Sequence, residues 1–224
     1  MIVKIKRQRT HDSAPYWQSF SYNGPLHVTI SAVLDAINYT DDIVDTEGNP
    51  AERVRWECSC LQSVCGGCAM VINGIPALAC NTFVDEVTKT DLVLEPLSKF
   101  PVVADLMVDR SSIYENLNNA KAYIESQTVN SKTDHDHQYS VAKCLKCGLC
   151  LEVCPNYHAG GKFYGAVFAN ESYLITTQSA ERAVQTVKEY KNHFSAGCSK
   201  VLSCQTVCPA GIETLTSILK MNRK

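Results

Sequence analysis

The sequence predicts an α+β protein in two parts, and three observations predict it. Apolar and polar residues alternate over 2–9 and again over 16–22, the period of a half-buried strand. From Ser112 onward the period becomes helical, with Ile113, Leu117, Ala120 and Ile124 on one stripe and Ala180, Ala183, Val184 and Val187 on another. Each part also carries its own pattern of closely spaced cysteines, drawn from twelve in 224 residues.

In the first part, the two strands are separated by a turn at Asp12 to Pro15. A short amphipathic helix follows, with Thr29 as its N-cap and Ile30, Val33, Leu34 and Ile37 on one face. The loop Cys60-x4-Cys65-x2-Cys68 comes next, and Cys80 lies beyond it. That is the plant-type [2Fe-2S] spacing. Gly66 and Gly67 are expected to let the backbone close over the sulfurs and turn its N–H groups towards them. Between Cys68 and Cys80, Ala69 to Ile72 and Ile75 to Ala79 read as a hairpin about Asn73-Gly74, which folds Cys80 back onto the loop. Leu92 to Pro96 supplies a closing strand. Two strands, a helix, a cysteine loop and a hairpin is the order of a β-grasp ferredoxin domain, expected over 1–100.

The second part, expected to be an α-helical domain over 112–224 after a connector at 101–111, is organised by Cys144, Cys147, Cys150 and Cys154-Pro155. This C-x2-C-x2-C-x3-C-P run is the bacterial ferredoxin pattern, in which the fourth cysteine serves a different cluster from the first three. A second run, Cys198 to Cys208-Pro209, has the same length and ending but carries Val201 where its second cysteine would stand. Crossing the runs assigns Cys144, Cys147, Cys150 and Cys208 to a [4Fe-4S] cluster. Cys154, Cys198 and Cys204 remain for the other. Valine cannot ligate iron, so three thiolates predict [3Fe-4S], and losing a charged ligand should raise its potential.

Other readings of the composition are weaker. Six disulfides would suit a small secreted chain, whereas this one can bury an adequate core, and Met1 to Arg7 enters a strand without a secretory or transit pattern. Structural zinc uses pairs of cysteine pairs, which neither kind of run resembles. The net charge of -2 gives no reason to expect nucleic acid, and no apolar run approaches the length of a membrane span. Cys58 has no place in a set and is read as a free thiol beside the first cluster. Polar Ser126 to Ser140 reads as a solvated loop; its Asp134-His135-Asp136-His137 could be called a metal site, but four adjacent residues cannot all point one way.

Taken together, several motifs make the chain resemble, over nearly its full length, the iron-sulfur subunits of succinate dehydrogenase and fumarate reductase. They are the C-x4-C-x2-C-x11-C set at Cys60 to Cys80, the stretch Phe100 to Ser111 followed by Tyr114-Glu115-Asn116, Cys-Gly-Leu-Cys at 147–150, and the valine-interrupted second run. The resemblance implies a non-catalytic electron-transfer subunit of a succinate:quinone oxidoreductase or quinol:fumarate reductase. It would relay electrons between FAD in a separate flavoprotein subunit and a quinone held by a membrane-anchor subunit, with haem b a candidate there. It also implies a peripheral position on the cytoplasmic face of a bacterial inner membrane.

Departures from the family pattern refine that expectation. Leu61, Gln62 and Ser63 replace the arginine and glycine common in the first loop, and Gly67 stands where serine is frequent. Ala159 and Ser199 occupy positions that carry tryptophan and histidine in ubiquinone-using members, which favours menaquinone and fumarate reduction. Pro155 matches a family proline lining the quinone pocket, although ending the loop is sufficient reason for it. Two alternatives remain: the iron-sulfur subunit of a glycolate or glycerol-3-phosphate dehydrogenase type of complex, and a stand-alone redox sensor or zinc scaffold.

Overall fold

A computed structural model describes residues 1–87, 91–125, 128 and 134–224. The chain divides into two compact units, Met1–Asp109 and Arg110–Lys224.

The first unit is built on a five-stranded sheet. β1 (Ile2–Arg7) pairs antiparallel with β2 (Tyr16–Ser21), from Ile2 opposite Ser21 to Arg7 opposite Tyr16. The helix α1 (Ile30–Asn38) follows, and the Thr29 side chain accepts from the Ala32 N–H as the sequence predicts. β3 (Ala69–Ile72) and β4 (Ile75–Leu78) form the predicted hairpin; Asn73 and Gly74 both have positive φ, +46° and +80°, as a two-residue hairpin turn requires. A helical turn, α2 (Val84–Val87), precedes β5 (Leu92–Glu95). β5 lies parallel to β1 and antiparallel to β3, giving the order β2-β1-β5-β3-β4.

Alternation explains which side of each strand is buried. Val3, Ile5, Phe20, Met70, Ile72, Leu92 and Leu94 are all nearly inaccessible, as is the α1 stripe Ile30, Val33 and Leu34. Full burial of each such side chain contributes about 1.5–3 kcal/mol.

The stretch expected as a connector is itself folded. β6 (Val102–Ala104) and β7 (Met107–Val108) make a small hairpin. It is stitched to the first unit by Asp105 N–H to the Gln8 carbonyl at 2.7 Å and Leu106 N–H to the Arg55 carbonyl at 3.0 Å.

The second unit is helical: α3 (Ser111–Asn119), α4 (His135–Ala142), α5 (Leu149–Glu152), α6 (Gly165–Gln178), α7 (Ala180–Tyr190), a π-helical turn at Lys191–Ser195, α8 (Ser203–Thr206) and α9 (Thr214–Met221). α6 is the axis of the unit. It packs against α3, α4, α5, α7 and α9, so it has almost no solvent face, and its polar residues are buried along with its apolar ones. Its first residue, Gly165, has φ +72°, and a Cβ there would fall 2.3 Å from Leu151 Cδ2; only glycine lets α6 start against α5.

Two expectations about this unit are corrected. Of the expected loop Ser126 to Ser140, residues 126, 127 and 129–133 lie outside the described residues, and His135 to Ser140 are helical, as the first part of α4, because Gln138 and Val141 are buried on one side of it. Val184 is 83% exposed, so it does not belong to the buried face of α7, which is set instead by Thr186 and Tyr190.

Candidate iron-sulfur sites

All twelve cysteines are free thiols, and they fall into groups. In the first unit, the backbone from Leu61 to Gly66 repeatedly enters the left-handed region, at Leu61 (φ +52°), Ser63 (φ +61°) and Gly66 (φ +77°). Those turns aim successive N–H groups at sulfur. Gln62 and Val64 donate to Cys60 Sγ at 3.3 and 3.4 Å, Ser63 donates to Cys80 Sγ at 3.4 Å, and Gly67 donates to Cys65 Sγ at 3.4 Å. Cys80 N–H in turn donates to Cys68 Sγ at 3.4 Å.

A shell of donors around thiolates stabilises negative charge. The Gln62 and Val64 N–H groups hold the Cys60 thiol down at about 7, while burial pushes Cys68 up to about 12. The Ser63 hydroxyl also stands 3.9 Å from Cys80 Sγ. Gly67 has no special backbone demand: a Cβ there would make ordinary 3.4 Å contact with Glu57, so the expectation of two needed glycines narrows to Gly66. Cys58 is exposed but close enough to Asp35 and Cys65 to feel their charge; burial is the first cause of its raised pKa.

In the second unit, Cys144, Cys147, Cys150 and Cys208 line one cavity with Val167, Asn170, Pro209, Ile212 and Thr214. The four are in electrostatic reach of one another. Burial pushes Cys147 up to about 11 and Cys150 well above the ordinary thiol value, and in both cases neighbouring cysteines of this group add to the shift. Lys146 (φ +54°) and Gly148 (φ +88°) bend the loop around the cavity, and Ile212 N–H donates to Cys208 Sγ at 3.4 Å. Burial raises the Cys144 thiol too, opposed by the Lys146 ammonium, which is ion-paired to Glu171 on α6.

Cys204 gathers the remaining group. Burial pushes it up to about 11, with Cys154 and then Cys198 as the next causes. It also lines the Cys144 cavity and acts on Cys150, so the two groups are neighbours. Val201 is 63% exposed between Lys200 and Leu202, both left-handed. Ser203 Oγ donates to the Val153 carbonyl at 3.3 Å, tying the two cysteine runs together.

The donor chemistry fits clusters. Among the described residues no three His, Cys, Asp or Glu side chains converge on one point that would hold a single metal ion. A cluster is gripped differently: in a cubane each thiolate takes its own iron and in [2Fe-2S] two thiolates share each iron, so the ligand sulfurs are spread around a cage and do not all converge on one ion. Asp134 to His137 do not come together: Asp134 pairs with Lys220, His135 with Asp136, and His137 Nε2 lies 2.9 Å from Ser217 Oγ.

Sequence reasoning passed over Asn170, Lys146 with Glu171, and Tyr157. Lys146 could have been found, because it lies inside a cysteine run. Asn170 and Glu171 lie on α6, whose lack of a polar face leaves nothing to single them out. Tyr157, 2% exposed, is near enough to Cys150 to feel its charge.

Comparison with known proteins agrees with this arrangement. Residues 2–115 match a model described as a 2Fe-2S iron-sulfur cluster binding domain, and residues 140–212 one described as a 4Fe-4S dicluster domain. The succinate dehydrogenase iron-sulfur subunit of Bacillus subtilis is 31% identical over 98% of this chain and 90% of its own length. The fumarate reductase iron-sulfur subunit of Escherichia coli is 30% identical over 92% of this chain and 85% of its own. A chain of the Mycobacterium smegmatis Sdh1 complex superposes with a TM-score of 0.76 at 20% identity, covering 99% of this chain and 93% of that one, so it shares the fold. Among the described residues no helix is long and apolar enough to cross a membrane. With a 2Fe-2S domain followed by a dicluster domain, in that order and over nearly the whole length, the chain belongs to the family of succinate dehydrogenase and fumarate reductase iron-sulfur subunits.

Proposed function

We propose that this chain relays electrons between the FAD of a flavoprotein subunit and a quinone at a membrane-anchor subunit, in a complex on the cytoplasmic face of the membrane. Cys60, Cys65, Cys68 and Cys80 hold [2Fe-2S]; Cys144, Cys147, Cys150 and Cys208 hold [4Fe-4S]; Cys154, Cys198 and Cys204 hold [3Fe-4S]. When bound, these centres accept and release single electrons. The chain's own residues set the terms of that exchange. The Gln62, Ser63, Val64 and Gly67 N–H groups stabilise negative charge on the first set of sulfurs. Cys144 and Cys208 of the second set and Cys198 of the third pack against the apolar core of the second unit.

The observation that supports this reading most is the division of the second unit's seven cysteines into two adjacent groups that exchange members between the runs: Cys208 with Cys144 and Cys147, and Cys154 with Cys204. Ala159 and Ser199 in place of the larger aromatic and imidazole groups support menaquinone as the quinone. The test is iron analysis and low-temperature EPR of anaerobically purified protein. About nine iron atoms per chain and a [3Fe-4S] signal on air oxidation are expected. Far less iron, or disulfides among these thiols, overturns the assignment.

A further inference from the structure

Asn170 lies on α6 and is only 4% exposed, in the wall of the cavity that Cys144, Cys147, Cys150 and Cys208 share. Its Nδ2 donates to Thr214 Oγ1 at 3.1 Å, and Thr214 lines the same cavity, itself 2% exposed. Its Oδ1 is buried with no hydrogen-bond partner. A buried amide oxygen without a donor calls for a cause, and the other wall groups beside it are thiols and apolar side chains, which offer an amide oxygen little.

Turning the amide by half a revolution removes the conflict. The oxygen and nitrogen of an asparagine differ little in shape, so either can face Thr214. With Oδ1 towards Thr214, the hydroxyl donates to it, and the two N–H groups become free for an acceptor in the cavity. Anionic sulfur is the acceptor chemistry that a set of four thiolates around iron would bring there.

We propose that Asn170 donates an N–H hydrogen bond to a sulfur of the centre held by Cys144, Cys147, Cys150 and Cys208, with Thr214 fixing the amide's orientation, and that this bond raises the centre's reduction potential. The inference rests on the ligand assignment above. Reduction adds negative charge to the cluster, and a donor aimed at its sulfur stabilises the reduced form more than the oxidised one. No proton is transferred. Asn170 makes no other side-chain hydrogen bond that would explain a polar group at this depth.

EPR-monitored redox titration of the cluster-loaded full chain tests this. In Asn170→Leu, which keeps the size and removes the donor, the four-iron midpoint should move to a more negative potential while the [2Fe-2S] and [3Fe-4S] midpoints stay in place. Proton ENDOR in light and heavy water should show one exchangeable coupling fewer at the reduced four-iron centre. If Asn170→Leu does not fold, Thr214→Val frees the amide to rotate and should shift the same midpoint in the same direction. An unchanged midpoint in a variant that carries all its clusters, or an equal shift of all three, overturns the inference and leaves the ligand assignment standing. Absence of any four-iron signal in the unaltered protein overturns both.

Discussion

Arg7 and Asp105, each 2% exposed, form a forked ion pair, with Nε 2.9 Å from Oδ1 and Nη2 3.1 Å from Oδ2. The pair is a junction for three separate stretches of the first unit. Arg7 also donates to the Glu52 and Arg53 carbonyls, and Asp105 accepts from the Gln8 and Arg55 N–H groups at 3.0 and 2.9 Å. β1, the hairpin of β6 and β7, and the segment leading into the first cysteine loop are therefore locked by two side chains. Removing one partner of a buried pair costs roughly 3–5 kcal/mol because the other charge is stranded. Arg7→Met should lose about that much, read as earlier thermal bleaching of the [2Fe-2S] absorbance. Asp105→Asn, which still tolerates the left-handed φ of +47°, should lose less.

Gly66 and Gly67 should respond differently to the same change. At Gly66, with φ +77°, an alanine carries a left-handed penalty of about 1–2 kcal/mol in the loop that presents donors to sulfur. Purified Gly66→Ala should retain less [2Fe-2S], measured by visible circular dichroism. Gly67→Ala should retain nearly the normal amount, since the added methyl only touches Glu57.

Val201 stands exposed in a stretch already bent by left-handed Lys200 and Leu202. A thiol placed there meets no steric obstacle. Val201→Cys should extinguish the oxidised [3Fe-4S] EPR signal and raise iron content by about one atom per chain, as a four-iron centre forms. Persistence of the three-iron signal would count against the crossed ligand sets.

His137, on α4, reaches α9 with Nε2 on Ser217, and burial, followed by the Lys220 ammonium, lowers its pKa; Glu213 and Asp134 oppose the shift. The fold thus favours the neutral ring. Its contribution is complete above the unfolded imidazole value of about 6.5 and disappears as pH falls through the lower folded value. His137→Gln should flatten that part of the thermal-stability profile as pH falls below about 6.5. An unchanged slope would place the pH dependence elsewhere.

Where the physics is local, the sequence was readable. The Thr29 cap, the Asn73-Gly74 hairpin and β5 follow from side-chain chemistry within a few residues, and each appears where it was expected. The proposed cysteine groups rest on spacing, which limits which sulfurs can share a cage. What escaped was set by partners far away in sequence. The β6–β7 hairpin is held by Gln8 and Arg55, so its own residues read as a connector. α4 carries mostly polar residues and is held through His137 and Lys220, so it read as a loop. Asn170 is meaningful only once α6, α9 and the cysteine cavity are seen together.

The centre of the first unit's sheet is occupied by the strand that leaves the ribosome last. Until Leu92–Glu95 emerges, the nascent chain holds only two separate ribbons of this sheet, β1 with β2 and β3 with β4, with Cys60, Cys65 and Cys68 in the segment between them and Cys80 just beyond β4. Insertion of β5 joins the ribbons by pairing with both at once. Truncation between β4 and residue 92 therefore splits the scaffold down its middle instead of trimming an edge, and the sheet beside the first cysteine loop is complete only once β5 has been translated.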